Sequence, residues 1–109
     1  MTNVYGNFDQ ETLDTEYLIS QTVPDIGPFL ADYARLSEEA RALSGACEDV
    51  AYGDTPQEVV DVFPAGENAP VFVFIHGGYW RMLSQKESSF MAPTMVLRGI
   101  AVISVNYTL

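Results

Sequence analysis

Residues 70 to 76 (PVFVFIH) and 100 to 107 (IAVISVNY) are continuous apolar runs, not alternating ones. Strands covered on both faces of an α/β sheet have this pattern. Between them lies SQKESSFMAPTMVLRGI. Ser88 or Ser89 suits an N-cap there, Phe90, Met91, Met95 and Val96 fall on helical spacing, and Gly99 suits a stop. Pro93 sits early in this helix, where one lost backbone bond is tolerable. Strand, helix, strand in that order is the right-handed crossover that builds parallel sheets.

Upstream, EDVAYGDTPQEVVDVFP holds two short β-prone runs around the turn-rich Gly53-Asp54-Thr55-Pro56 and reads as an antiparallel hairpin. Val60, Val62 and Pro64 alternate with Asp61 and Phe63, so one face is expected to be the more buried. Phe29, Tyr33, Leu36, Ala40 and Leu43 recur at three- and four-residue steps, with Pro28 suited to a first turn and Gly45 to a C-terminal cap. They predict an amphipathic helix over 29 to 44. Residues 1 to 23 show no sustained period and read as an extended arm. The chain thus divides into an arm (1–27), a helix (28–45) and the start of a central sheet (46–109), all in one domain.

The 109 residues are 48% apolar and 12% aromatic, an ordinary globular composition. The net charge of −10 makes nucleic acid an improbable partner and fits a solvated acidic surface. No segment approaches the roughly 18 apolar residues of a membrane span, and MTNVYGNFDQ lacks the form of a signal peptide. The expected setting is cytoplasmic, without a membrane partner. Cys47 is the sole cysteine, which excludes an internal disulfide and multi-cysteine metal motifs.

The first run ends in His76-Gly77-Gly78-Tyr79-Trp80. A loop between a strand and its crossover helix lies at the C-terminal edge of the sheet, where open α/β folds bind ligands. Glycines at 77 and 78 permit unusual backbone angles and bare the main-chain NH groups. Fixed NH groups in a dry cleft can stabilise a developing oxyanion.

HGGYW after an apolar strand, with DVFP closing the hairpin before it and VNYTL ending the next strand, resembles the α/β-hydrolase family. Within it, the match is to the kynurenine formamidase (arylformamidase) branch and its esterase relatives. The resemblance implies the N-terminal part of that fold: an N-terminal helix, an antiparallel hairpin and a parallel β-helix-β unit. Lipases and esterases often carry an HGGG-type loop; here Tyr79 replaces the third glycine, the HGGXW form. By resemblance, the NH groups of Gly78 and Tyr79 form the oxyanion hole, His76 and Gly77 shape the loop, and Trp80 either borders the substrate pocket or braces the loop. The implied substrate is a small N-formyl aromatic amine, N-formylkynurenine in tryptophan catabolism, or alternatively a small acyl ester. No metal or organic cofactor is implied.

His76 is the only histidine, but hydrolases of this fold place serine, acid and histidine in that order, with the serine in G-x-S-x-G after a later strand. No G-x-S-x-G occurs: Ser44 precedes Gly45 without a glycine two residues earlier, and Ser104 lies inside a strand. Nucleophile, acid and base are absent from the 109 residues. The expectation is a truncated product or fragment, inactive or non-catalytic when alone. By resemblance, strand 70–76 would also border a nucleophile strand missing here, so its open edge allows homo-oligomers.

Overall fold

A computed structural model describes residues 2–43 and 45–109; Ser44, at the end of the expected helix, lies outside them. The hairpin forms as β3 (Cys47–Ala51) and β4 (Val59–Phe63). The two apolar runs form β5 (Val71–Ile75) and β6 (Ala101–Val105). Together they make one sheet of order β3-β4-β6-β5. β4 runs antiparallel to both β3 and β6, and β5 is parallel to β6 with Val71 opposite Ala101 and Ile75 opposite Val105.

That register sorts the side chains. Asp61 faces Ser104 and Phe63 faces Val102, and all four are fully buried. The hairpin's buried face is therefore Asp61 and Phe63, with Val60 and Val62 only half-buried. Above Phe63 and Val102 lie Ala40 of α2 (Gly27–Leu43) and Ala92 of α3 (Ala92–Leu97), with Ala46, Met91, Met95 and Val96 around them.

The opposite face departs from the expectation of strands covered on both sides. Val71, Val73 and Ile75 of β5 are 54%, 53% and 64% exposed. β5 ends the sheet, paired only to β6 among the described residues. Its side chains are apolar, as in a buried strand, but the described residues leave more than half of each of these three exposed.

α2 forms where the spacing places it, and Asp25 Oδ1 accepts from Gly27 N at 2.8 Å just before it. Its buried residues are Ser37 and Ala40, while Phe29, Tyr33, Leu36 and Leu43 stay exposed. Small side chains at the contact let the helix approach the segment after β5, where Ser89 N donates to Ser37 Oγ at 3.0 Å.

The N-terminal stretch is not an extended arm. Asn3–Tyr5 (β1) and Phe8–Asp9 (β2) pair around Gly6, which has φ 55°. Asp9 then caps α1 (Gln10–Tyr17), its carboxylate accepting from Thr12 N at 2.8 Å. That bond holds the Asp9 pKa below the usual carboxylate range. A 3-10 turn follows at Ile19–Thr22.

The crossover differs as well. Ser88 and Ser89 are not the cap: both are buried, donating to Ser84 O at 2.8 Å and Gln85 O at 3.0 Å. Ser84 instead caps a 3-10 turn, Gln85–Glu87, and its N and Oγ both donate to Glu87 Oε2 at 2.9 Å. Only then does α3 begin, with Pro93 in its first turn and Gly99 beyond its end at φ 76°.

Candidate active site

The site is the loop from Ile75 to Ser84, held at both ends. At its far end, Gln85 and Lys86 meet a charge cluster around the buried Asp61. A break in register between Cys47 and Val50 puts Asp49 at φ 54°, and its NH donates to Asp61 Oδ1 at 2.9 Å. Asp61 Oδ2 makes no hydrogen bond but lies 3.7 Å from Lys86 Nζ and 4.0 Å from Arg41 Nη1. Gln85 Nε2 donates to Asp49 Oδ1 at 2.9 Å and Arg41 Nη1 to Lys86 O at 3.0 Å. Burial alone would lower the Lys86 pKa; its bonds to Glu48 and Asp49 and the charge of Asp61 outweigh that and hold it above the ordinary range. Removing a cation would leave the fully buried Asp61 carboxylate less compensated, so the cluster anchors this end of the loop.

At the near end, His76 is buried. Its Nδ1 lies 2.7 Å from Gly77 O and its Nε2 3.0 Å from Asn106 Oδ1. Both partners are oxygens that accept, so a ring nitrogen that carries a proton donates to the one it faces. The ring stacks on Tyr107 at 4.3 Å, and Tyr107 OH donates back to His76 O at 2.7 Å. Tyr52 OH donates to Asn106 O at 2.6 Å, tying the hairpin to the same point.

Between the anchors the backbone is forced. Gly78 has φ 122°, and a Cβ there would lie 2.1 Å from Met82 O. Gly77, by contrast, has open space around it. Tyr79, Trp80 and Leu83 take φ of 56°, 57° and 72°. Each such residue costs on the order of 1–3 kcal/mol, and strain of this kind gathers at functional sites. Arg81 N donates to Gly78 O at 3.1 Å, closing the turn. The NH groups of Gly78 and Tyr79 donate to no group among the described residues. Tyr79 and Trp80 project outward, 80% and 73% exposed.

Two open pockets flank the loop. One, of about 540 Å³, is bordered by Tyr52, Ile75, His76, Trp80 and Tyr107. The other, of about 560 Å³, runs between the loop and the start of α2, and Tyr79 lines both. Two unused NH groups in a strained turn beside apolar pockets can receive negative charge that develops on a bound carbonyl.

No protein-family model matches the chain. It is 36% identical over 76 residues to the kynurenine formamidase of Danio rerio and 38% over 74 residues to that of Salmo salar. A third match, to the kynurenine formamidase of Drosophila melanogaster, is 39% over 61 residues. These cover 67%, 65% and 53% of this chain but 26%, 25% and 20% of the relatives, so the chain spans about a quarter of their length. Among solved structures, a protein assigned as a thioesterase from Silicibacter sp. superposes with TM-score 0.79 at 28% identity, over 89% of this chain and 38% of that one. The chain is similar to part of the kynurenine formamidases and has an α/β-hydrolase-type fold. Esterase B of Lactobacillus rhamnosis shares the fold at TM-score 0.53 and 17% identity, over 89% of this chain and 33% of its own.

In this formamidase-like chain, His76, Gly77, Gly78, Tyr79 and Trp80 lie on the one loop, and their settings differ. His76 is locked inward, Gly78 is sterically required, and Trp80 borders the first pocket. Asn106, Tyr107 and Tyr52 complete the setting of His76, and the motif alone gave them no role. The signal was available: VNYTL follows a strand parallel to β5, so its residues must emerge beside the histidine. Arg81, which lines the second pocket, carried no signal beyond its place after HGGYW. Among the described residues, no helix is long and apolar enough to cross a membrane.

Proposed function

We propose that this chain supplies the oxyanion-hole loop of a serine-dependent hydrolase of the kynurenine formamidase type, acting in the cytoplasm on N-formylkynurenine in tryptophan degradation. The observation that carries the reading is that the NH groups of Gly78 and Tyr79 donate to no group among the described residues, on a turn whose Gly78 has no room for a side chain. A serine outside these 109 residues attacks the formyl carbon. The carbonyl electron pair moves to oxygen, where the two NH groups hold it, at about 2.7–4 kcal/mol per donor. The C–N bond then breaks, the arylamine leaves with a proton, and water cleaves the formyl-serine to formate.

The esterase-like solved structures support a second reading, in which the same loop serves a small acyl ester or thioester. A chimera separates them, with the chain continued after Leu109 by the remainder of the Danio rerio kynurenine formamidase. The formamide reading expects formate from N-formylkynurenine in preference to turnover of p-nitrophenyl acetate, and none from the 109 residues alone. The reverse preference would favour the ester.

A further inference from the structure

Arg81 is the one charged side chain lining the pocket between the loop and α2. The rest of that wall is largely apolar, including Ile26, Phe29, Leu30 and Tyr33. The other basic groups near acids are engaged: Arg35 pairs with Asp32 and Glu39, and Arg41 and Lys86 share Glu48 and Asp61. Arg81 and Arg98 form no ion pair among the described residues, although the chain carries 15 acidic residues against 5 basic ones, and of the two only Arg81 lines this pocket. Its guanidinium lies 5.9 Å from the Tyr79 ring centroid, a cation–π contact on the loop that carries the two candidate oxyanion donors.

We infer that Arg81 is the specificity-determining residue of this pocket, its guanidinium receiving the carboxylate of the aromatic formamide proposed above. The inference rests on the hydrolase reading and deepens it. The apolar wall suits an aryl ring, and the planar guanidinium suits bidentate pairing with a carboxylate. A net charge of −10 would repel an anionic substrate over most of the surface, so a single unpaired cation in the groove gives such a substrate one favourable place to settle. A neutral aryl ester gains nothing from Arg81.

The test uses Trp80, the only tryptophan, which sits on the same loop. Its emission is titrated in the 109-residue chain with N-formyl-L-phenylalanine and with N-formylphenethylamine, which differ only in the carboxylate. The expected result is binding of the acid about tenfold tighter, equivalent to about 1.4 kcal/mol. That preference should shrink with salt and vanish in Arg81→Gln while the amide's affinity stays unchanged. No pocket residue lies on β5, so pairing of copies through that edge leaves the groove open. Equal affinities in the parent chain, a preference that survives Arg81→Gln, or no binding of either compound would each overturn the inference. The hydrolase reading is judged separately, by turnover in the chimera, and stands if the two formamides bind alike.

Discussion

The two adjacent glycines offer a sharp comparison, since they look alike in the sequence and differ in the fold. In Gly78→Ala the new methyl meets the Met82 carbonyl oxygen at 2.1 Å, and the backbone must hold φ 122°, which L-residues rarely adopt. The obstacle is main chain, so no rotamer change relieves it. A residue forced into such a region costs on the order of 1–3 kcal/mol, and the loop can shed that cost by opening. At 1.4 kcal/mol per tenfold, the opening equilibrium should rise by about 5- to 150-fold. The Arg81 amide reports it directly, because its hydrogen bond to Gly78 O closes the turn. Hydrogen exchange at Arg81 should therefore accelerate in Gly78→Ala and stay within a few-fold of the parent in Gly77→Ala, whose Cβ meets nothing within 4 Å. Amides of β4 and β6 should be protected equally in all three proteins. Equal acceleration in both variants, or in neither, would refute the argument that steric confinement at Gly78 shapes this loop.

Three further outcomes follow from the same geometry. In the chimera, His76→Ala should change kcat and KM together by a modest factor, since the ring braces Gly77 and Asn106; a loss as complete as removal of the nucleophile would contradict that. Sedimentation at physiological salt should show self-association of the isolated chain through β5, abolished by Val73→Lys, because an edge lysine blocks strand pairing. A parent that sediments as a monomer would exclude a sticky edge. Finally, Lys86 has a raised pKa, so its stabilisation is complete below the unfolded value of about 10.4 and is lost as pH rises through the higher folded value. Thermal melts should fall more steeply above that pH in the parent than in Lys86→Met, and parallel curves would argue against the anchor. Comparing the two isolates the contribution of this one lysine.

The strands and the hairpin were legible because their patterns depend on local pairing. The parallel pairing of β5 with β6 came from the crossover rule, and the site loop from its glycines. What escaped was set by tertiary partners. α1 is exposed along most of its length, so it has no apolar stripe to betray it; only Asp9 three residues before Thr12 hinted at a cap. The buried side of α2 is Ser37 and Ala40, not its large apolar residues, because the segment at Ser88 and Ser89 packs there and needs hydrogen-bond partners more than volume. Asp61 reads as a surface residue in an alternating strand. It is buried because Lys86 and Arg41 arrive from 25 residues later and 20 residues earlier, a meeting no local pattern encodes.

The central claim is that the NH groups at Gly78 and Tyr79 hold the oxyanion. The most direct measurement is kcat for formate release from N-formylkynurenine by the chimera, with Gly78→Pro beside Gly77→Ala. Proline deletes one donor and cannot adopt φ 122°, so kcat should fall by about 10²–10³-fold with circular dichroism unchanged, while Gly77→Ala stays near the parent. A Gly78→Pro enzyme that keeps its kcat would contradict the account.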